Sequence, residues 1–331
     1  HEPSAQTAQN IYEGLQKKGI EVLLDDRDMR AGFKFKDKIK NTLVVGTEKI
    51  GSGEVIYITD DPYFRAFWKS GRVLLASDAG QLYVLDTVRG SLRKLSGGKP
   101  VGFKLCIGHP WEWFAMVKAM LETGIQPDFI VVDGAEGGTG AAPLEFSDHM
   151  GMPLQEALRL VHNTLVGAGL RDSIHVGASG KIVSAFDMAR VMALGADWCN
   201  SARGFMFALG CLQAQSCHTG HCPTGVTTQD PLRQQALVVP DKAERVYNFH
   251  QQTLHALQEL VQAAGVNHPG DITAHHIVRR STDHKVKSLA QLILTQLPNR
   301  ALIDQELNTL PLIYRHSWPR ASAQSFAPEF T

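Results

Sequence analysis

Three of the five cysteines of this chain, Cys211, Cys217 and Cys222, stand within one twelve-residue stretch. Thiolates are soft ligands that favour iron–sulfur clusters, zinc or copper(I), and the spacers between these cysteines leave room for the backbone to wrap a metal centre. Pro223 follows directly, as proline does in many cluster-binding runs. Three thiolates without a fourth favour a three-iron cluster with these cysteines as its ligands.

Two other interpretations of the cysteines stay open. A disulfide is disfavoured because the cysteine count is low and odd, and because no apolar signal segment stands at the start. Zinc is the stronger alternative, since His218 or His221 could join three thiolates in a tetrahedral shell. The spacing lacks the two-residue cysteine pairs of zinc knuckles, which favours the cluster.

The composition limits the function classes. The 331 residues include 44% hydrophobic residues, enough for a substantial core. Lysine plus arginine and aspartate plus glutamate both total 33, so the bulk charge predicts neither a nucleic acid nor an anionic membrane as partner. No apolar run reaches the roughly 20 residues that cross a bilayer. A cytoplasmic protein is expected.

From residue 99 onward, short apolar runs alternate with stretches of helical periodicity. Such runs are typical of parallel strands buried on both faces. The alternation predicts an α/β fold with about four βα units, the C-terminal part of a (β/α)₈ TIM barrel. The predicted strands are 101–106, 129–133, 174–178 and 197–201, and the predicted helices are 110–123, 154–166 and 184–194.

Glycine-rich loops follow the last three of these strands, at 133–143, 177–181 and 200–204. Glycine lets backbone amides approach a flat ring or an anion closely, although a simple turn is the alternative. In (β/α)₈ barrels the loops after the last two strands bind phosphate through amides and helix N-termini. The loops at 177–181 and 200–204 are therefore expected to bind phosphate.

Two charged residues in this region could take part in chemistry. Lys104 lies inside an apolar strand between Phe103 and Leu105, where a lysine without a partner is costly to bury. It could stabilise negative charge on a reduced cofactor or hold a substrate carboxylate. Glu136 in the first glycine loop could assist proton transfer, although a loop carboxylate is more often simply solvated.

Residues 94–327 resemble the FMN-binding synthase domain of the glutamate synthase family. The resemblance rests on Gly-Phe-Lys-Leu-Cys, Val-Asp-Gly-Ala-Glu-Gly-Gly-Thr-Gly-Ala-Ala-Pro, Gly-Ala-Asp-Trp-Cys-Asn-Ser-Ala-Arg-Gly and Cys-His-Thr-Gly-His-Cys-Pro-Thr-Gly-Val. It implies a (β/α)₈ barrel that carries FMN and a [3Fe–4S] cluster. The implied reaction joins 2-oxoglutarate and ammonia to 2-iminoglutarate, which flavin hydride reduces to glutamate.

The resemblance also assigns site residues. The cluster ligands would be Cys211, Cys217 and Cys222, and the implied catalytic residues are Lys104 and Glu136. The residues expected at FMN or its phosphate are Lys104, Gly134, Gly137, Gly138, Ser179, Gly180, Lys181, Ser201, Ala202 and Arg203.

The first 90 residues do not follow the same pattern. Most of their strand-like runs are joined by connections too short for crossover helices, which predicts an unrelated α+β segment with antiparallel or irregular pairing. Residues 8–37 resemble part of the anticodon-binding domain of prolyl-tRNA synthetase, but they are too few to imply tRNA binding. The predicted division is therefore 1–90, a half-barrel with the cysteine loop at 91–240, and a helical extension at 241–331.

Two functions follow from this organisation. The first is a glutamate synthase-like oxidoreductase whose electron donor, ferredoxin or an NAD(P)H-dependent partner, is open. The second is a non-catalytic fragment or fusion module that keeps the cysteine loop without a complete flavin site. A half-barrel exposes strand edges, so a homo-oligomer is possible.

Overall fold

A computed structural model of the chain describes residues 21–24, 42–50, 53–58, 98–136, 149–280, 284–293 and 296–326. These residues belong to two compact units. The first takes its residues from His1–Leu105, Trp111–Val131 and Ser317–Thr331, and the second from Cys106–Pro110 and Val132–His316. The predicted three-part division of the chain stays a prediction.

Four strands of the first unit pair in chain order. They are β1 (Glu21–Leu24), β2 (Thr42–Ile50), β3 (Gly53–Ile58) and β4 (Val101–Leu105). The β2–β3 pair is antiparallel, as expected for this part of the chain. The β1–β2 pair is parallel, so the expectation of antiparallel or irregular pairing is wrong there. Residues 25–41 are long enough for the crossover that a parallel pair needs.

Helix α1 (Pro110–Thr123) packs the core of the first unit. Proline at its first position and Gly124 at positive φ after its last residue mark its two ends. Its buried Phe114 meets the Trp318 ring edge-on, with 5.5 Å between the ring centroids. Lys118 donates to the Ala321 carbonyl at 2.8 Å, which ties the C-terminal segment to the helix.

Strand β5 (Phe129–Asp133) begins after Asp128, which fixes it to the start of β4. The Asp128 carboxylate accepts from the Val101 amide at 2.6 Å, and the Asp128 amide donates to the Val101 carbonyl at 2.8 Å. A side chain at Gly102 would meet the Phe129 backbone, so β4 and the start of β5 lie in close contact.

The second unit continues the βα alternation. Its elements as far as the cysteine loop are α2 (Leu154–Gly167), β6 (His175–Ser179), α3 (Ala185–Ala193), β7 (Trp198–Asn200) and α4 (Arg203–Leu209). Strands β6 and β7 are parallel, with Gly177 opposite Trp198. The predicted α/β fold with parallel strands is confirmed. Closure of an eight-stranded barrel stays a prediction.

The C-terminal part of the second unit is not helical throughout. It contains α5 (Pro231–Gln234), the long α6 (Val239–Ala263), α7 (Leu289–Leu292), α8 (Ala301–Asp304) and α9 (Leu312–Ser317), with short 3₁₀ turns at Cys217–Thr219, Pro269–Asp271 and Leu307–Thr309. An antiparallel hairpin of β8 (Val278–Arg280) and β9 (Val286–Ser288) interrupts the helices. At the second strand, Lys285, Val286 and Lys287 alternate basic and apolar residues, a period of two that favours a strand over a helix.

Helix α6 covers α3 and α4. Leu257 and Val261 pack on the alanines of α3 together with Ile272, and Phe249 meets Phe205 of α4 with 5.3 Å between ring centroids. The alanine side chains of α3 are short, so the backbones of α3 and α6 can lie close together. Across the described residues, no helix is both long and apolar enough to cross a membrane.

Candidate functional site

The structure brings together three of the loops expected to bind a cofactor. The Gly134 amide, after β5, donates to the Ser179 carbonyl at the end of β6 at 2.8 Å. The Ser201 hydroxyl, after β7, donates to the Ile182 carbonyl at 2.7 Å. These bonds join the loops at the carboxyl ends of β5, β6 and β7, which is where α/β proteins bind their ligands.

Gly180 stands at the centre of this loop cluster. Its φ of +149° lies outside the range that L side chains readily adopt. A Cβ there would lie 3.3 Å from both the Gly134 amide nitrogen and a methyl carbon of Leu154. Gly180 therefore keeps the two loops in contact with no side chain between them.

The helices after these loops differ in what their first turns can bind. At α3, the Ser184 hydroxyl accepts from the Asp187 amide, and the Asp187 carboxylate accepts from the Val183 and Ser184 amides. This capping box already occupies the first turn of α3 with a carboxylate. Helix α4 begins after Ala202, whose side chain cannot cap it. The amides at the start of α4 are thus better suited to an anion.

Glu136 has a structural partner. Its carboxylate accepts from the Leu154 amide at the start of α2, at 2.9 and 3.0 Å. Pro153 before that helix forms no side-chain cap, so Glu136 supplies the cap from eighteen positions away. Its negative carboxylate also interacts favourably with the positive N-terminal end of the helix dipole. The expected role of Glu136 in proton transfer stays a prediction.

The remaining predicted flavin residues occupy several environments. Lys104 is half-buried in β4 of the first unit, between buried Phe103 and Leu105. Lys181 is exposed with a left-handed φ of 47°, and Arg203 opens α4. Gly137 and Gly138 lie outside the described residues.

The cysteine loop begins where α4 ends at Gly210, which has positive φ. The Gln213 amide donates to the Cys211 sulfur at 3.4 Å, and Cys217 opens a 3₁₀ turn that ends at Thr219. Gln213 and Gln215 both have φ of 55°, an uncommon conformation for residues other than glycine. The backbone between the first two cysteines is thus held in an unusual shape.

Cys222 is the buried thiol of this loop. Burial opposes its ionisation, but hydrogen bonds from Thr224 and Thr227 outweigh burial and lower the pKa of Cys222 to about 6. Cys211, Cys217 and Cys222 are all free thiols. Free thiols with hydrogen bonds to sulfur suit an iron–sulfur cluster as a donor set.

The three thiols are not gathered as finished metal ligands, however. Within the described ranges, no group of three or more His, Cys, Asp or Glu side chains is placed to hold a metal ion. The same finding applies to the zinc alternative with His218 or His221, both of which are exposed. Both metal assignments depend on the donor set and its spacing.

A polar network that the sequence did not reveal lies at the opposite, amino ends of β6 and β7. Arg171 donates to His162 Nδ1 at 3.2 Å and to Asp197 at 2.7 Å. The other Asp197 oxygen accepts from the Val176 amide at 2.7 Å. Burial, then the positive charges of Arg171 and Arg159, lowers the pKa of His162 to about 4. Asp197 thus holds β6 beside β7 as Asp128 holds β4 beside β5.

The described residues form an α/β protein whose loops meet at the carboxyl ends of parallel strands, where proteins of this class commonly bind ligands. Residues 82–267 match the family model described as a conserved region in glutamate synthase. Because that match covers more than half of the chain, the protein belongs to the glutamate synthase family. Residues 2–59 match an anticodon binding domain, which confirms the resemblance expected there and extends it.

Curated relatives match part of the chain. The glutamate synthase large subunit-like protein YerD of Bacillus subtilis is 44% identical over 197 residues, which are 60% of this chain and 38% of the relative. An archaeal glutamate synthase [NADPH] of Methanocaldococcus jannaschii is 38% identical over 169 residues, 51% of this chain and 32% of the relative. The chain therefore spans only about a third of the length of these relatives.

The chain is also similar to solved structures. A flavocytochrome b2 mutant covers 80% of this chain and 51% of its own, with 13% identity and a TM-score of 0.39.

Proposed function

We propose that this chain carries the FMN-binding part of a glutamate synthase-like oxidoreductase. The proposed reaction reduces 2-iminoglutarate, formed from 2-oxoglutarate and ammonia, to glutamate. Family membership supports the reaction class, and relatives named glutamate synthase support the substrates. FMN, when bound, would supply the hydride that reduces the imine carbon.

The contact between the predicted flavin loops carries this proposal. The bonds from Gly134 to Ser179 and from Ser201 to Ile182 place three glycine-rich or small-residue loops side by side. Small residues let backbone amides reach a planar ring, and Gly180 keeps one edge of the cluster free of side chains. We assign the flavin to these loops, with Gly137 and Gly138 completing the first of them.

We place the FMN phosphate at the loops Ser179–Lys181 and Ser201–Arg203. The start of α4 offers its amides, because Ala202 does not cap them, and Lys181 and Arg203 add positive charge. At the start of α3 the capping box already uses backbone amides, so the loop Ser201–Arg203 should contribute more of the phosphate affinity than Ser179–Lys181.

Two charged residues would serve the substrate. Lys104 would hold a substrate carboxylate or offset negative charge on the reduced cofactor, because a fixed cation in a water-poor environment stabilises such charge strongly. Glu136 is already hydrogen-bonded to the Leu154 amide, so it could accept a proton only by giving up part of that helix cap. We therefore regard Lys104 as the stronger candidate.

We further propose that Cys211, Cys217 and Cys222 ligate a [3Fe–4S] cluster, which would pass electrons between the flavin and an outside donor, ferredoxin or an NAD(P)H-dependent partner. The free thiols and the hydrogen bonds to Cys211 and Cys222 support this assignment. Reconstitution with iron and sulfide should give stoichiometric iron in wild type. The Cys217→Ser variant should lose most of that iron. The control variant Cys199→Ser, which removes a thiol outside the cysteine loop, should keep it. Zinc without iron in the wild-type protein would contradict the cluster.

The flavin site has an equally direct test. FMN titration by fluorescence quenching should show binding to the wild-type chain and at least tenfold weaker binding to Gly180→Ala, since the new methyl enters the loop contact. Gly265→Ala is the matched control, because Gly265 also has positive φ but a Cβ there meets open space. Circular dichroism confirms that each variant is folded. Equal FMN affinity in both variants would refute the assigned site, and a folded wild type that binds no FMN would favour the non-catalytic alternative.

A further inference from the structure

A second cleft lies at the amino ends of β6 and β7, within the second unit. Its volume is about 700 Å³, a size typical of small-molecule sites. Helix α2, the segments that precede β6 and β7, and residues 268–275 line it. Strand β6 separates the cleft from the flavin loops, because His175 begins the strand and Ser179 ends it. Five residues of strand span roughly 13 Å.

Basic groups dominate the polar lining of this cleft. Arg159 and Arg171 both line it, and Asp197 is the acidic residue among the described lining residues. The Asp197 carboxylate lies 2.7 Å from Arg171, so the charges of that pair largely offset each other. Arg159 adds a second guanidinium to the lining and is only 6% exposed, so an anion bound beside it would compete with little water.

Histidines add further donors around the opening. His175, His268 and His275 line the cleft, and the His175 side chain is 70% exposed. Each imidazole can donate a hydrogen bond to an oxyanion from one ring nitrogen. His162 also lines the cleft, and burial, followed by the charges of Arg171 and Arg159, lowers its pKa to about 4, so this imidazole is neutral near pH 7.

Part of the cleft wall is apolar. Met192, Ala193, Ile272 and Ala274 contribute to it. A bare inorganic ion would fill little of such a volume and would leave this wall in contact with water. The combination of a buried cation, imidazoles and an apolar wall suits a ligand with one anionic end and one apolar or planar end.

We propose that this cleft binds a small organic anion, with a phosphate or carboxylate group toward Arg159 and an apolar or planar body against Met192 and Ile272. The site is separate from the loops assigned to FMN and does not depend on that assignment. Because β6 connects the two, a ligand in the cleft would contact the same strand whose far end carries Ser179.

Two pairs of probes test the chemistry and distinguish the sources of the anion. AMP and adenosine differ by a phosphate, and phthalate and phthalamide differ by the charge of two carboxylates. Isothermal titration at constant ionic strength should show millimolar or tighter binding of at least one anion, and at least tenfold weaker binding of its neutral counterpart. Equal binding of the charged and neutral members of both pairs, or no binding by either anion, would overturn the proposal.

Histidine modification locates the bound probe. Diethylpyrocarbonate labelling read by mass spectrometry should show His175, His268 and His275 protected by the anion that binds. His255, an exposed histidine on α6, should be labelled equally with and without it. An anion that binds without protecting the cleft histidines would contradict this location.

Variants test the individual groups. Arg159→Gln should weaken the anion at least tenfold, whereas Arg245→Gln, an exposed arginine on α6 that does not line the cleft, should not. If Arg159→Gln does not fold, the double variant His268→Gln/His275→Gln takes its place, since these histidines lie at the more open end of the cleft. Unchanged affinity in the folded variant would overturn the proposal.

Discussion

Replacing Asp197 by asparagine should destabilise the second unit measurably. One Asp197 oxygen accepts from Arg171 and the other from the Val176 amide, both at 2.7 Å. Asparagine keeps one acceptor and turns an NH₂ group toward the other donor. Hydrogen bonds to charged groups contribute about 1.5–3 kcal/mol, and the Asp197 side chain is 35% exposed, so solvent reduces the effect. The expected loss is about 2.5 kcal/mol.

Thermal unfolding followed by circular dichroism measures this loss. For domains of 150–250 residues, each kcal/mol shifts the Tm by about 2–4 °C, so Asp197→Asn should lower the Tm of the second unit by roughly 5–10 °C. Asp172→Asn is the matched control, because Asp172 lies in an exposed turn next to Arg171, and its Tm should change by about 1 °C. Because the Arg171–Asp197 ion pair is partly exposed, the Tm difference between the Asp197→Asn and Asp172→Asn variants should be smaller in 1 M salt. Equal Tm values for the two variants would refute the argument that Asp197 holds β6 beside β7.

Three further predictions concern pH, a helix cap and a strand contact. The pKa of His162 is about 4 in the folded chain against 6.5 ordinarily, so between these pH values the unfolded chain binds a proton that the folded chain does not. The free energy of unfolding should therefore fall by up to about 3 kcal/mol as the pH drops from 6.5 to 4. A His162→Gln variant with the same pH dependence in urea unfolding would contradict this. Ser184→Ala should cost about 1 kcal/mol in the same assay, because it removes the α3 capping box, and no loss would show that the box contributes nothing. Gly102→Ala should lower the free energy of unfolding by about 3 kcal/mol, because the new Cβ meets the Phe129 carbonyl, a backbone group that cannot move aside. Gly98→Ala, where a Cβ meets open space, should lower it less. Equal losses in the two variants would refute the clash.

Much of the α/β part of the fold was predictable from sequence. The strand predicted at 129–133 and the helix predicted at 110–123 have the same bounds in the structure. The reason is local, since a short apolar run bounded by polar residues has few other stable conformations and a helix begins readily at proline. Ser184, the predicted start of the third helix, is its N-cap.

Contacts between distant residues were not predictable. Nothing in the sequence near Glu136 shows that it caps a helix eighteen positions later, so proton transfer and a simply solvated carboxylate were the two interpretations considered. The basic cleft draws on α2, on the segments before β6 and β7, and on residues 268–275, and only the fold places them side by side. One signal was available, because Asp128 and Asp197 each stand directly before a strand.

The loop cluster at the carboxyl ends of the strands was predicted in its members but not in its detail. Gly134, Ser179 and Ser201 were expected at the flavin, and the structure links their loops by hydrogen bonds. The closure of the α3 N-terminus by Asp187 was not expected, because a capping box depends on side-chain rotamers. The cysteines were predicted as cluster ligands from their spacing, from Pro223 and from the family resemblance, and this assignment stays a prediction.

Anaerobic reoxidation of the flavin tests directly whether reduced FMN on this chain reduces 2-iminoglutarate to glutamate. The chain is loaded with FMN, the flavin is reduced by light, and its absorbance near 450 nm is followed after mixing with 2-oxoglutarate and ammonium. We predict that oxidised flavin returns and that glutamate forms in equal amount, only when both substrates are present. Both should form more slowly in Lys104→Gln. A folded, FMN-loaded chain whose reduced flavin stays reduced with both substrates would contradict the proposed reaction.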